Sequence, residues 1–153
     1  LGDVYKRQVL LNGENVNGLI RTEEVGNMAS KTSAYKMVRA TLLDLQRDLA
    51  KTANILMDGR DIGTVVLPNA EVKIYLTASS RVRAERRYKE LQEKGETCDL
   101  DQIEKDIILR DEQDMNREIS PLRQADDAIL VDSSDMSIEE VVNCLIDIIK
   151  KAD

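Results

Sequence analysis

LMDGRDIGTVV, residues 56–66, is the stretch that decides the fold of this chain. A short apolar segment ends there in two carboxylates, an arginine and two glycines. Open α/β sheets bind ligands at polar turns that follow buried strands, and glycine lets a ligand approach the backbone closely. Arg60 offers a planar fork for phosphate, while Asp58 and Asp61 offer acceptors for a metal shell or a base edge. A buried structural turn can have a similar sequence, although three charges beside an apolar strand are costly to leave unpaired.

The composition bounds the class of protein. The 153 residues suit one domain, and 42% apolar with 33% charged residues is an ordinary soluble mixture. Aromatic residues make up only 3%, so the core is predicted to be aliphatic. The formal net charge of −7 argues against broad nucleic-acid binding, which needs a positive surface. The apolar runs are too short to span a bilayer, so no membrane partner is expected.

The chain contains no histidine, which excludes Ser-His and Cys-His nucleophile pairs and the common histidine-based zinc sites. Cys98 and Cys144 lack the spacing of metal ligands. Cys144 lies in an apolar helical stripe and is predicted to be a core residue, whereas Cys98 is predicted to be a free thiol. Two unlinked thiols suit a reducing compartment, so a cytoplasmic location is expected.

Strands that alternate with helices predict an α/β fold with a parallel sheet. Sheet strands are expected at 55–58, 72–76 and 128–132, the last of them buried. A hairpin is expected within 9–20, because Asn-Gly stands between apolar residues there. Residues 21–33 read as a loop with a short helix.

Four helices are predicted from apolar periodicity and capping residues. The first helix is expected at 36–51, and the second begins at a cap of Ser79 or Ser80 and runs to about Lys94. The third begins with a capping box of Asp99 and Gln102 and ends before Pro121. The fourth begins with a capping box of Ser137 and Glu140.

A second constellation comprises Arg110, Asp114 and Arg117, spaced i, i+4 and i+7, which share one face if the helix continues. Asp114 is then predicted to orient both arginines toward an anion. The preceding helix is basic and carries Arg83, Arg86 and Arg87. Two arginine-bearing helices joined by a polar turn suggest a hinged lid over phosphates. The alternative is a solvated helix face with weak surface ion pairs.

Together these segments resemble the bacterial cytidylate kinase family, the (d)CMP kinases. The most specific matches are Asp-Gly-Arg-Asp-x-Gly-Thr-Val-Val at 58–66 and Arg-Asp-x-x-Asp-x-Asn-Arg at 110–117. The resemblance runs from Val9 to the C-terminus. It implies the P-loop nucleoside-monophosphate-kinase type of parallel sheet flanked by helices. It also implies transfer of the γ-phosphoryl group of ATP, with Mg²⁺, to CMP or dCMP.

The resemblance assigns roles to particular side chains. Ser30, Arg39 and Asp61 match positions that contact cytosine, and Arg60 matches an arginine that holds the acceptor phosphate. The resemblance places Arg110 and Asp114 around the sugar and Arg117 near the phosphate or base. These roles make Arg60, Arg110 and Arg117 the catalytic candidates. The lid residues that would face the ATP phosphates are Arg83, Arg86 and Arg87.

The same resemblance divides the chain into regions. Residues 9–51 are the nucleotide-monophosphate-binding insertion, 52–80 and 124–153 the α/β core, and 81–123 the lid. Residues 1–8 read as a non-native scar.

The family's Gly-x-x-Gly-x-Gly-Lys-[Ser/Thr]-like loop does not occur in the 153 residues. We therefore expect an N-terminally truncated fragment with an incomplete sheet, marginally folded, aggregation-prone and inactive alone. The full-length protein is expected to be a monomer that takes CMP or dCMP and ATP and binds no nucleic acid. Two alternatives remain: another nucleoside-monophosphate kinase, for UMP or AMP, and a non-catalytic nucleotide-binding module that naturally lacks the loop.

Overall fold

The computed structural model describes Gly2, Asp3 and residues 8–152. The chain divides into two compact units, Leu1–Asp48 and Leu49–Asp153. The predicted non-native segment 1–8 falls largely outside the described residues, because residues 1 and 4–7 are not among them.

The first unit opens with an antiparallel sheet of β1 (Gly2–Asp3), β2 (Gln8–Leu11) and β3 (Glu14–Asn15), in that order. The predicted hairpin is confirmed. Asn12 and Gly13 connect β2 to β3 with φ values of 52° and 87°. Positive φ at both central residues is what a two-residue hairpin turn of the favoured hand requires, and Asn-Gly tolerates it.

Two helices complete this part of the chain, α1 (Glu23–Thr32) and α2 (Lys36–Thr52). Thr22 caps α1, because its Oγ1 accepts a hydrogen bond of 3.3 Å from the Val25 amide. Both helices confirm the predictions made for these segments. None of the α2 residues is buried, so its apolar stripe lies on the surface.

The second unit contains a parallel pair of strands, β4 (Ile74–Thr77) and β5 (Ile129–Asp132), with Ile74 opposite Ile129. Helices α3 (Ser80–Glu93), α4 (Leu100–Asn116) and α5 (Ile138–Lys150) accompany them. The α/β class with a parallel sheet is therefore confirmed.

The strand predicted at 55–58 is wrong. These residues belong to no strand, and Leu56 is 91% exposed. A strand exists only through hydrogen bonds to a neighbour, and within the described residues the sheet of the second unit consists of β4 and β5 alone. Residues 55–58 thus have the apolar composition of a strand but no neighbouring strand to pair with.

Capping residues set the helix boundaries as predicted. Ser79 caps α3 and Asp99 caps α4, the latter through a 2.8 Å bond from the Gln102 amide to its carboxylate. The reciprocal half of the Asp99 capping box does not form, and the Gln102 side-chain amide donates to Asp106 at 2.8 Å. The Ser137–Glu140 box at α5 forms in full. Gly95, just beyond α3, adopts φ 76°, the left-handed conformation that ends many helices.

Among the residues whose burial the structure describes, the buried apolar ones are all aliphatic, as predicted: Val16 in the first unit and Val66, Ala78, Ala84, Leu91 and Val131 in the second. The prediction that β5 is a buried strand is wrong for most of it, because Ile129 and Leu130 are about half exposed. Cys98 and Cys144 are free thiols, each half-buried. In the described part of the chain, no helix is both long enough and apolar enough to cross a bilayer.

Candidate functional site

The turn after Arg60 is built around one carbonyl group. The Asp61 carbonyl accepts hydrogen bonds from the Val65 and Val66 amides, at 2.9 and 3.2 Å, and from the Thr64 hydroxyl at 3.4 Å. These bonds wind Ile62–Val66 into a single turn of π-helix. Irregular turns of this kind frequently mark functional sites. The turn fixes the backbone from which Arg60 and Asp61 project.

Four charged side chains meet beside this turn: Arg60, Asp61, Asp114 and Arg117, which we call the Asp114 quartet. The Arg60 Nε donates to Asp114 Oδ2 at 3.0 Å. Arg117 lies 3.7 Å from Asp114 Oδ1 and 3.9 Å from Asp61 Oδ1, and its Nε donates to the Ser120 carbonyl at 2.6 Å. The two positive and two negative charges of the quartet therefore cancel.

Burial within the quartet is uneven. The Asp114 and Asp61 side chains are 8% and 11% exposed and Arg117 is 16% exposed, whereas Arg60 is 44% exposed. The carboxylates are thus shielded, and Arg60 is the member that an incoming ligand can reach. A guanidinium held by a carboxylate on one edge keeps its other N–H groups for an anion.

The predicted pairing of Asp114 with Arg110 is wrong. Arg110 is exposed, and among the described residues no ion pair joins it to Asp114. Asp114 binds Arg60 in its place, and it does contact Arg117. The helix ends at Asn116, and Arg117 is extended, with φ −64° and ψ 143°. The predicted shared helix face therefore excludes Arg117, because the helix ends one residue before it.

A cleft of about 470 Å³ lies within the second unit, and we call it the arginine cleft. Residues of the 59–64 turn, of β4 and of α3 and α4 line it. Four arginines contribute to its wall: Arg60 beside the turn, Arg83 and Arg86 on α3, and Arg123 beyond α4. Of the three predicted lid arginines, Arg87 is not among the lining residues, and it pairs with Glu90 at 2.9 Å.

Both lid arginines in the cleft are already anchored. The Arg83 Nε donates to the Ala78 carbonyl at 3.0 Å, and its Nη2 donates to Asp111 Oδ2 at 2.5 Å. Arg86 donates to the Ser133 carbonyl at 2.6 Å, just past the end of β5. These bonds fix where each guanidinium lies on the wall.

The other predicted site residues, Ser30 and Arg39, lie in the first unit on α1 and α2, each half-buried. Ser33 links them. Its hydroxyl donates to the Ser30 carbonyl at 2.8 Å, and its own carbonyl accepts from Arg39 Nη1 at 3.2 Å. The structure therefore connects the two predicted residues through a serine that sequence reasoning did not single out.

Lys73 contributes an ion pair to the cleft wall. Its side chain is 8% exposed, and its Nζ donates to the Asp127 carboxylate at 2.6 Å and to the Pro68 carbonyl. The hydrogen bond from Lys73 holds the pKa of the Asp127 carboxyl below its usual range. Among the described residues, no cluster of three or more His, Cys, Asp or Glu side chains is placed to bind a metal ion.

Comparison with known proteins identifies the family. A sequence-family model described as "Cytidylate kinase" matches residues 3–151. The chain belongs to the cytidylate kinase family. Among curated relatives, the cytidylate kinase of Mannheimia succiniciproducens is 52% identical over 135 residues, which cover 88% of this chain and 60% of that protein.

Two further relatives give the same result. The cytidylate kinase of Pediococcus pentosaceus is 53% identical over 146 residues, covering 95% of this chain and 65% of that protein. The cytidylate kinase of Thermosipho melanesiensis is 49% identical over 141 residues, covering 92% and 65%. The chain thus spans 60% to 65% of the length of these cytidylate kinases.

Asp111 and Ser33 are the site residues that sequence reasoning missed. Asp111 had a usable signal, because it lies three residues before Asp114 and therefore on the same face of α4. An acidic helix face that follows a basic helix predicts cross-helix pairing. Ser33 offered no comparable pattern.

Proposed function

We propose that this chain provides the acceptor-binding and phosphate-binding residues of an enzyme that transfers the γ-phosphoryl group of ATP to CMP or dCMP, giving CDP or dCDP. The observation that carries the proposal is the arginine cleft, in which Arg60 is half exposed and held on one edge by buried Asp114. Phosphoryl transfer depends on positioning and on cations placed where charge develops. Membership of the cytidylate kinase family supports the same reaction.

The acceptor nucleotide is assigned to the Asp114 quartet. Arg60 binds the phosphate of CMP through its outer N–H groups. Arg117 and Arg110 complete the catalytic arginines, with Arg110 and Asp114 at the sugar. Asp61 accepts a hydrogen bond from the exocyclic amine of cytosine, a donor that uracil lacks. In the first unit, we assign Ser30 and Arg39 to the ring acceptors of the base.

The ATP phosphates are assigned to Arg83 and Arg86, the two lid arginines that line the cleft. The resemblance alone adds Arg87, which pairs with Glu90. Mg²⁺ accompanies ATP, because this ion is usually held by substrate phosphates and one or two carboxylates rather than by a protein cage. Asp58, exposed two residues before Arg60, is the carboxylate that fits this role. The ion would neutralise charge that develops on the transferred group. We further propose a cytoplasmic enzyme that acts as a monomer.

The test is an ADP-release assay. The chain is fused to the part of the Pediococcus pentosaceus relative that it does not match, and CMP, dCMP, UMP and AMP are offered in turn with ATP and Mg²⁺. We expect turnover with CMP and dCMP, and none from the 153-residue chain alone. Equal turnover with UMP or AMP would make the chain part of a different nucleoside-monophosphate kinase.

Arg60→Ala gives the sharper outcome. It should lower kcat/KM for CMP by about 100-fold or more, since a positioned cation at a reacting phosphate contributes on that scale. Lys150→Ala is the control for the loss of a positive charge, because Lys150 is exposed on α5 and is not among the residues that line the cleft. Equal losses in the two variants would overturn the phosphate role of Arg60. No turnover with any acceptor would favour a non-catalytic nucleotide-binding module.

A further inference from the structure

Arg83 is held by two hydrogen bonds that leave one side of its guanidinium unused. Its Nε bonds the Ala78 carbonyl and its Nη2 bonds Asp111, at 3.0 and 2.5 Å. Among the described residues no hydrogen bond engages Nη1. The Arg83 side chain is 36% exposed and that of Asp111 only 20%, and both residues line the arginine cleft. The carboxylate is therefore the shielded partner, and the arginine is the accessible one.

The docking of α3 on α4 does not require this pair. Arg81 bonds Asp101 at 2.8 Å and Glu104 at 3.0 Å, and Ser80 bonds Glu104 at 3.1 Å. The hydrogen bonds that Arg81 donates to Asp101 and Glu104 raise the pKa of its guanidinium, and the bond to Asp101 is the largest cause. They hold the helices together at their N-terminal ends. Asp111, about two helical turns further along α4, adds the orientation of Arg83.

A carboxylate on the wall of an anion site has two opposite effects. Its charge repels the anion, so removing it should strengthen anion binding if charge alone matters. Its hydrogen bond fixes a long, flexible side chain, so removing it should weaken binding if orientation matters. The geometry favours orientation, because the Arg83–Asp111 contact is short and Asp111 is mostly buried.

We propose that Asp111 is a positioning residue that holds Arg83 in place for the phosphates of the donor nucleotide. The inference rests on the proposed function, since it assumes that Arg83 meets phosphate. Asp111 acts through Arg83 and itself does not touch the ligand. Without it, Arg83 retains the Ala78 carbonyl as an anchor for Nε and loses the contact that sets the plane of its guanidinium.

Inorganic tripolyphosphate is the probe, and its binding to the full 153-residue chain is measured by titration calorimetry. Arg83→Ala should weaken binding, which tests the proposed phosphate role separately. Asp111→Asn should weaken binding about five- to tenfold, although it removes a negative charge, because immobilising one such side chain contributes on that order. Asp106→Asn, the same change on the same helix at an exposed residue that does not line the cleft, should leave binding unchanged.

Asp111→Glu separates orientation from charge and does not depend on how well the amide is tolerated. It keeps the charge and lengthens the side chain by one methylene, so it should also weaken binding if position matters. Wild-type affinity in Asp111→Glu, or tighter binding in Asp111→Asn, overturns the positioning role while the proposed function stands. An unchanged affinity in Arg83→Ala overturns the phosphate role and this inference together.

Discussion

Replacing Asp114 with asparagine should destabilise the second unit more than any comparable change on α4. The substitution keeps the size of the side chain and removes its charge. Asp114 Oδ2 then no longer offers Arg60 a charged acceptor at 3.0 Å, and Arg117 keeps Asp61, 3.9 Å away, as its remaining quartet carboxylate. The perturbation thus affects two ion pairs that share one buried carboxylate.

The two ion pairs contribute different amounts to the free energy of unfolding. A hydrogen bond to a charged group contributes about 1.5–3 kcal/mol, and the 44% exposure of Arg60 reduces its share to roughly 1 kcal/mol through solvent screening. Arg117 is 16% exposed and lies 3.7 Å from Asp114, so loss of this ion pair adds roughly 1–2 kcal/mol to the destabilisation. The total, about 2–3 kcal/mol, lies below the 3–5 kcal/mol cost of breaking a fully buried pair. For a chain of this size it corresponds to a fall in Tm of roughly 5–10 °C.

Urea unfolding followed by far-UV circular dichroism measures the effect at pH 7. Asp106→Asn is the matched control, because Asp106 is exposed on the same helix and accepts only from the Gln102 side chain. Its free energy of unfolding should change by less than about 0.5 kcal/mol. A double-mutant cycle with Arg60→Gln should give a coupling of about 1 kcal/mol. Equal stabilities of the Asp114 and Asp106 variants would refute the reasoning, as would zero coupling to Arg60.

Two further perturbations test the turn and a helix cap. Gly59→Ala should lower the free energy of unfolding in urea by about 1 kcal/mol, because an added Cβ would lie 2.9 Å from Ile62 Cγ1. In Gly63→Ala the nearest atom to the added Cβ is 3.5 Å away, so this variant should be nearly neutral. Equal effects of the two variants would contradict the packing argument. The amide and hydroxyl of the serine that caps α5 lower the pKa of Glu140. Because the pKa is lower in the folded state, this contribution is present above about pH 4.5, the ordinary value, and is lost as pH falls through the folded pKa. Amide exchange should therefore show α5 fraying on acidification in the wild type, with less pH dependence in Glu140→Gln and a wild-type profile in Glu139→Gln.

Local signals were sufficient where the structure depends on neighbours in sequence. Asn12-Gly13 forms the predicted hairpin because its turn needs only two residues with positive φ. The Ser137–Glu140 capping box forms because its donors and acceptors lie within one helical turn. In both cases the residues that make the stabilising contact lie within four positions of each other, so the contact does not depend on distant segments of the chain.

Prediction failed where the structure depends on a distant partner. Residues 55–58 have the apolar composition of a strand, but pairing decides whether a strand exists. The partner of Asp114 was expected one turn away at Arg110, whereas the ion pair joins it to Arg60, 54 residues earlier in the chain.

The motif Arg-Asp-x-x-Asp on α4 acquires a clearer physical meaning from these contacts. Its two carboxylates, Asp111 and Asp114, lie three residues apart on one face of α4 and each binds an arginine from a distant segment, Arg83 and Arg60. Two exposed guanidiniums on one cleft wall would otherwise repel each other. A carboxylate paired with each guanidinium offsets that repulsion and fixes the geometry of both arginines. Helix α4 therefore orients two arginines of the cleft, Arg60 and Arg83, and the motif encodes the carboxylates that hold them in place.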